Sequence, residues 1–425
     1  MKKLLLTTLF AAAGVSLFAQ KLDKAKDYFS AKPPKLAEAK TEIDGVLNDP
    51  KNAKNSEAWY YKVKIYNAVA NDPTLGPQNP DARWTAFEAL KKYTEVDDKK
   101  EIYLQLDKYQ PVMDIYQTYY KLGAADFNAN KHPEAYQEFK NCLAVSEFMT
   151  QKGWTNVKLD TSVVLYTGIA AEKDGKKDDA AIYYGRLADA KVNGEGMVEI
   201  YKWLTDYYAK KNDPATAKKY LELGKSIWPK DPFWNSYELE MLKDDKKALF
   251  AKYEEMIAQN PNDTTSLYNY AVELYLYSYN EDPAKRPADA VDLIAKSETN
   301  MKKVVELNPN NSSAWLVLGQ IAYNRGVDLN NQMKAIKPQG NVKLKPEELK
   351  KKDDLRAQAG KQFDEAVPNF EKVDQLLGDK GKLHMEDKKN LKEAYDLLIN
   401  IYDNKGNKDK VKFYEDKFNN VEKVH

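Results

Sequence analysis

A repeated spacing of apolar residues constrains the fold of this chain more than any other feature. An aromatic or apolar residue is followed sixteen positions later by a small or apolar one at four places: Tyr119 and Ala135, Val164 and Ala180, Tyr201 and Ala217, Tyr395 and Val411. Phe139 and Cys142 follow Ala135 at +4 and +7, and this spacing places all three on one helix face. Turn residues stand between the paired positions: Asn130, Gly175, Asn212 and Gly406. The pattern therefore predicts pairs of short helices that repeat along the chain.

Prolines recur in the same register. Pro229, Pro261 and Pro309 each stand twelve residues after the first apolar or small position of a second helix. Six residues beyond Pro309, Trp315 opens another first helix. Because proline cannot continue a helix, it separates one pair from the next, and the Asn, Asp and Ser residues after it can cap the following helix. An array of helix pairs explains the length of the chain without separate globular cores.

These residues resemble the tetratricopeptide repeat (TPR), a helix pair of 34 residues with a characteristic set of aromatic and small positions. The residues that carry the resemblance are Trp315, Leu318, Gly319; Tyr119, Leu122, Gly123, Ala135, Phe139; and Tyr201, Leu204, Tyr208, Ala217, Pro229. The resemblance covers nearly all of residues 21–425. It implies an all-α fold, a right-handed superhelical solenoid of about nine TPR-like helix pairs, with the first helices lining a concave face.

Three insertions depart from the repeat, at residues 71–81, 280–288 and 327–354. In the third, the first helix of the eighth unit continues to about Ile336 and turns. A return helix then begins at Pro346, which suits a first helical position, and runs to about Leu377. The sequence thus predicts a protruding helical hairpin in the eighth unit. Its tip is basic, with Lys343, Lys345, Lys350, Lys351 and Lys352, and a solvated arm is a simpler interpretation of these lysines than a docking element.

The first nineteen residues have the pattern of a secretory signal peptide. Two lysines precede an apolar stretch at 4–17, and the small residue Ala19 precedes strongly charged sequence. The junction resembles signal peptides of Gram-negative bacteria. We therefore predict a signal peptide at 1–19, a TPR-like helical repeat array at 20–425, and export to the periplasm or beyond, with no transmembrane segment after cleavage.

Charge and motifs argue against several classes of function. Removing the two signal-peptide lysines from the 66 basic residues leaves 64, against 65 acidic residues. This near balance gives no reason to expect a nucleic-acid partner. The three histidines are isolated, and the zinc-protease, nucleophile-elbow and Cys-x-x-Cys motifs are absent from the sequence. We therefore expect no enzymatic activity, no cofactor and no metal.

The concave face is the remaining candidate for function. Transferring the inward positions of the family by register gives nine partner-binding candidates: Tyr60, Asn67, Tyr120, Phe127, Asn128, Tyr268, Tyr275, Tyr323 and Asn324. Aromatic rings beside amides can hold an extended peptide or a sugar by stacking and hydrogen bonding. Core packing is the simpler interpretation of any single aromatic residue among them.

The sequence as a whole favours a non-enzymatic binding scaffold or adaptor of the bacterial envelope. We expect protein or peptide partners in the concave groove of a TPR solenoid. The alternative is an exported helical-repeat protein that binds glycans.

Overall fold

A computed structural model describes residues 21–98, 100–338 and 343–424. Every regular element within these residues is helical, and they contain no strand. The all-α prediction is therefore confirmed. The predicted signal peptide, residues 1–19, and part of the predicted turn, residues 339–342, lie outside the described residues.

The chain divides into two compact units, one up to Trp234 and one from Asn235 onward. The helices of the first unit are residues 21–30 (α1), Leu36–Leu47 (α2), Ser56–Asn71 (α3), Leu75–Gln78 (α4), Ala82–Val96 (α5), Ile102–Leu106 (α6), Gln110–Asn128 (α7), His132–Gln151 (α8), Thr161–Lys173 (α9), Lys177–Asp189 (α10), Val198–Lys210 (α11) and Pro214–Ile227 (α12). A short 3-10 turn, Pro50–Asn52, follows α2.

Helix α13, Pro232–Leu242, contains the boundary between the two units. The second unit continues with Lys246–Gln259 (α14), Thr264–Ser278 (α15), Ala290–Leu307 (α16), Ser312–Ala335 (α17), Pro346–Leu377 (α18), Met385–Asn404 (α19) and Lys408–Val424 (α20), with a 3-10 turn at Pro283–Lys285. Consecutive helices pack as pairs: α7 with α8, α9 with α10, α11 with α12, α15 with α16, α17 with α18, and α19 with α20.

Left-handed residues end the first helices at the turn positions that the sequence indicates. The φ angles are +59° at Asn130, +80° at Gly175, +58° at Asn212 and +69° at Gly406. After each, a backbone N–H donates to a carbonyl five residues back, as from Lys131 to Asp126 at 2.8 Å. This hydrogen bond is the signature of a Schellman cap, which satisfies carbonyls that the helix end would leave unpaired. Asparagine and glycine are the residues that tolerate this conformation best.

Carboxylate and amide side chains begin many of the helices, as predicted. The side chain of Asn311 accepts a hydrogen bond from the backbone N–H of Ala314 at 3.0 Å, at the start of α17. The side chain of Asp213 does the same for Thr216 at 3.1 Å, at the start of α12. These caps stabilise N–H groups that lack a partner within the first helical turn.

Glycines on first helices receive aromatic rings from the following helices. A Cβ atom placed on Gly168 of α9 would lie 2.7 Å from Cε1 of Tyr184 on α10. The other close pairs are Gly123 with Phe139, Gly319 with Phe370, and Gly326 with Phe363. Because only a glycine leaves room for the ring at this distance, each pair fixes the separation of two helices. The helix pairs are TPR-like in this respect as well as in their caps.

Helices α17 and α18 are longer than the other pairs, at 24 and 32 residues. Their ends agree with the predicted bounds, since α17 ends at Ala335 and α18 spans Pro346–Leu377. Phe370 of α18 lies over Gly319 as in an ordinary pair, and Phe363 makes a second contact of this type with Gly326. The number of repeat units and the protrusion of this helix pair remain predictions. None of the described helices is both long and apolar enough to cross a membrane.

Candidate functional site

A groove crosses the first helices of three consecutive pairs in the second unit. It encloses about 350 Å³. Its walls come from α15, α17 and α19: Tyr268, Val272, Tyr275 and Leu276; Val317, Gln320, Tyr323 and Asn324; Glu393 and Leu397. We call this feature the three-helix groove. Four of the nine predicted residues, Tyr268, Tyr275, Tyr323 and Asn324, lie together in it.

Helical spacing explains which side of α15 faces the groove. Tyr268, Val272 and Tyr275 stand at i, i+4 and i+7, so they share one face. Leu267 and Leu274 lie on a different face and are buried in the core. Val272 follows the same spacing between the two tyrosines. It is a groove residue that the predicted set of aromatic and amide residues did not include.

Two hydrogen bonds hold the polar groups of the groove in place. The Nδ2 group of Asn324 donates to the hydroxyl oxygen of Tyr275 at 2.6 Å. The Nε2 group of Gln320 donates to Oε1 of Glu393 at 2.5 Å, which links α17 to α19. Burial raises the pKa of Tyr275 well above its usual value, so its hydroxyl stays protonated and can still donate.

The groove also has an exposed apolar position. Leu276 is 71% exposed although it follows Tyr275 directly on α15. Tyr323 is half-buried and rests against the ring of Phe363, with ring centroids 5.5 Å apart. The groove therefore combines fixed aromatic rings, oriented amides and an apolar side chain that is largely exposed.

An ion pair joins the segment that follows α15 to α17. The guanidinium group of Arg286 donates to both carboxylate oxygens of Asp328, at 2.6 and 2.9 Å. It also lies 4.7 Å from the ring centroid of Tyr279, which in turn stacks on Tyr275 at 5.4 Å. Arg286 belongs to the insertion at 280–288 and Asp328 to the insertion at 327–354. The two insertions are thus tied to each other and to an aromatic residue of the groove.

Tyr60 does not lie on an open face, contrary to the prediction from the repeat register. It is 3% exposed, its hydroxyl donates to the carboxylate of Asp107, and its ring stacks on Tyr103 at 5.3 Å. Residues 100–109 fold over this end of α3 by means of left-handed backbone at four positions, none of them glycine. This tertiary contact has no counterpart in the repeat pattern.

Asn67 is likewise buried and has an internal partner. Its Oδ1 accepts a hydrogen bond from Nη1 of Arg83 at 3.4 Å, and Asn71 accepts a second one from the same nitrogen at 3.0 Å. It lines a shallow cavity of about 430 Å³ next to Lys64, but its amide oxygen already serves the guanidinium group. The structure therefore gives Asn67 a role in orienting Arg83.

The other three candidates of the first unit are spread along α7. Tyr120 is half-buried, with edge contacts to Phe139 at 6.0 Å and Tyr166 at 6.1 Å. Phe127 contacts the ring of His132 at 5.4 Å instead, and Asn128 is exposed at the end of the helix. Tyr120 and Phe127 thus pack against different neighbours.

Clusters of metal-binding side chains and reactive thiols are two further kinds of candidate site. In the described parts of the chain, no three histidine, cysteine, aspartate or glutamate side chains are placed to hold a metal ion together. The thiol of Cys142 is buried and donates to the carbonyl of Tyr116 at 3.5 Å. Burial raises the pKa of this thiol far above its usual range, so it stays protonated.

Comparisons with known proteins give similarity only at the level of solved structures. No family model matches the sequence, and no curated protein matches it. The C-terminal part of a TPR repeat-containing protein from Cytophaga hutchinsonii is 15% identical, with 72% of this chain and 96% of that chain covered and a TM-score of 0.41. The P58(IPK) TPR domain is 12% identical, with 90% and 98% covered and a TM-score of 0.25.

A circular tandem repeat protein with a novel repeat topology is also 12% identical, with 98% and 97% covered and a TM-score of 0.23. These TM-scores are low. The helix pairs, the glycine–aromatic contacts and the caps of the chain itself make it an all-α protein of TPR-like helix pairs.

Proposed function

We propose that this chain is a non-enzymatic binding scaffold that holds an extended peptide segment of a partner protein in the three-helix groove. The observation that carries the proposal is the meeting of Tyr268, Tyr275, Tyr323 and Asn324 around one cavity. Aromatic rings beside amides suit an extended peptide, because the rings contact side chains while the amides pair with the backbone.

The groups of the groove match the needs of a peptide backbone. Oε1 of Gln320 remains available as an acceptor for a peptide N–H, since its Nε2 is the atom that pairs with Glu393. The protonated hydroxyl of Tyr275 can donate to a peptide carbonyl. Leu276 offers an apolar contact, and a volume of about 350 Å³ accommodates a few side chains.

Export is part of this proposal. It is supported by the basic, apolar and small-residue pattern of residues 1–19. Mass spectrometry of the protein recovered from its native cell should find an abundant form that begins near Gln20. An abundant form that still begins at Met1 would contradict export by this route.

The binding proposal can be tested with linear peptides selected from a random phage library on the purified protein. Their affinities would then be measured by fluorescence polarisation for the wild type, for Leu276→Glu and for Val291→Glu. Leu276 and Val291 are both exposed apolar residues of the second unit, but Val291 lies on the second helix α16, outside the groove. We expect Leu276→Glu to weaken binding at least about tenfold by placing a charge in the groove, and Val291→Glu to leave it unchanged.

Two results would count against the peptide proposal. Equal binding by Leu276→Glu and the wild type would place the peptide elsewhere on the chain. Capture of soluble oligosaccharides, with loss in Leu276→Glu and no peptide selected, would favour the glycan alternative for the same groove.

A further inference from the structure

The first unit contains another cavity, formed by its own helices. It encloses about 630 Å³ between the insertion at 71–81 and the helices α3, α5, α7 and α8. We call it the insertion cavity. Its lining includes the charged side chains of Arg83 and Glu138 and the apolar side chains of Trp84 and Leu122.

The insertion is an ordered wall of this cavity. The carboxylate of Asp72 accepts hydrogen bonds from the backbone N–H groups of Thr74 and Leu75, at 2.9 and 2.8 Å. A Cβ atom on Gly76 would lie 2.9 Å from the carbonyl oxygen of Ala70, so the turn packs directly on the end of α3. The departure from the repeat pattern at 71–81 therefore builds a concave surface that an ordinary helix pair lacks.

Arg83 brings a buried positive charge to this surface. It is only 7% exposed, and its hydrogen bonds go to neutral groups, the side chains of Asn67 and Asn71 and the carbonyl of Ala70. The guanidinium also lies 5.7 Å from the ring centroid of Tyr119. No carboxylate among the described residues forms an ion pair with it. A buried cation without a counter-ion is costly, which makes this group a strong site for an anionic partner.

Glu138 brings a negative charge to the same cavity from α8. Its Oε2 atom is buried and has no hydrogen-bond partner among the described residues. Burial raises the pKa of this carboxyl group, while the charge of Arg83 opposes the rise. The two charged groups influence each other across the cavity without forming an ion pair. The cavity thus contains a guanidinium group without an ion pair and a carboxyl oxygen without a donor, and the side chains of Asp81 and Lys140 also line it.

We propose that the insertion cavity binds a free α-amino acid with an apolar side chain, whose carboxylate pairs with Arg83 and whose ammonium group pairs with Glu138. A simple anion would pair with Arg83 but would be repelled by Glu138. A simple cation would pair with Glu138 but would be repelled by Arg83. A zwitterion satisfies both groups and adds no net charge. Trp84 and Leu122, each more than a third exposed, supply an apolar surface for the side chain, and the volume leaves room for an aromatic ring.

Isothermal titration calorimetry on the purified protein tests this proposal. L-leucine, L-phenylalanine and L-tryptophan serve as probes, followed by the amine-only and carboxylate-only analogues of whichever binds, such as phenethylamine and 3-phenylpropionate. We expect at least one amino acid to bind, and each analogue to bind at least about tenfold more weakly. No binding of any of the three at millimolar concentration, or equal affinity for an analogue, would overturn the proposal.

The Glu138→Gln variant separates a ligand contact from a structural effect, since it keeps the size of the side chain. It should weaken amino-acid binding about tenfold while leaving the carboxylate-only analogue unaffected or bound more tightly, because the repulsion is gone. Glu134→Gln, an exposed position on the same helix, is the matched control and should change neither. Identical behaviour of the two variants, or binding of maltose or cellobiose with none of the amino acids, would refute the assignment.

Discussion

At the residue scale, the spacing between helices depends on single glycines. Gly168 stands four residues after Val164, the apolar residue that opens this helix pair in the repeat, and it faces an aromatic ring of the next helix. Tyrosine hydroxyls add a second kind of contact. Tyr66 donates to Asp44 across helices, and Tyr395 donates to Asp374 in the same way at 2.5 Å. The repeat pattern predicts that such tyrosines are buried, but it does not reveal their carboxylate partners.

Gly168→Ala should destabilise the protein, because the new Cβ atom would lie 2.7 Å from the ring of Tyr184. Overpacking of this kind costs about 1–3 kcal/mol, which denaturant unfolding would measure. Gly45→Ala is the control, since a Cβ atom on this glycine of α2 meets nothing within 4 Å. It should be neutral or stabilising by up to about 1 kcal/mol. Equal unfolding midpoints for the two variants would mean that Gly168 is not at a tight contact.

Asp44 should make the stability of the first unit depend on pH. Burial alone would raise the pKa of its carboxyl group, but hydrogen bonds from Tyr66, Lys62 and Lys40 outweigh burial and lower it. A lowered pKa in the folded state stabilises the protein above the unfolded pKa of about 3.9, and this stabilisation is lost as pH falls through the folded value.

Asp44→Asn should therefore cost about 1–3 kcal/mol at pH 7, with the difference from wild type shrinking below about pH 4. Urea unfolding at several pH values would measure this. A difference that stays constant from pH 7 to pH 3 would show that the carboxylate charge is not what stabilises this contact.

At the scale of elements, the bounds of most helices follow from residues that a sequence displays. The turns at Asn130, Gly175, Asn212 and Gly406 and the cap at Asn311 are local chemistry, so the sequence predicts them. The segment at 100–109, which covers Tyr60, is different. It needs left-handed backbone at residues such as Lys100 and Tyr109, which carry no local preference for that conformation. Tertiary packing decides such a segment, and this is why Tyr60 is buried although the repeat register predicts it on an open face.

The ion pair that joins the insertions at 280–288 and 327–354 can be tested by substitution. Asp328→Asn should remove the ion pair with Arg286 and loosen the insertion at 280–288, because hydrogen bonds within the turn, such as that from Arg286 to Asn280, do not join it to α17. Hydrogen exchange followed by mass spectrometry should show faster exchange in 280–288. Asp353→Asn is the control, because its pair with Arg356 is well exposed on both sides, and exposed pairs contribute little. Unchanged exchange in Asp328→Asn would mean that the ion pair does not order the insertion.

At the scale of the whole molecule, the repeat predicts one array, and the structure groups its helix pairs into two compact units. In helix-pair arrays each pair contacts mainly its neighbours, so a site can be built from a few adjacent pairs. The three-helix groove is such a site. Its aromatic and amide residues were predictable from the repeat register. Its apolar residues and the ion pair between Arg286 and Asp328 were not, because they depend on how neighbouring helix pairs and insertions pack.

The central claim is that the three-helix groove is the surface that binds peptide. Photo-crosslinking tests it most directly, with benzoylphenylalanine placed in separate variants at Leu276 in the groove, at Asn128 on α7 and at Lys350 on α18, all of which are exposed. Each variant would be illuminated with a peptide selected on the wild-type protein. We predict a crosslink from position 276 and none from positions 128 and 350. A crosslink only from position 128 or only from position 350 would contradict the claim and move the binding surface to α7 or to the basic end of α18.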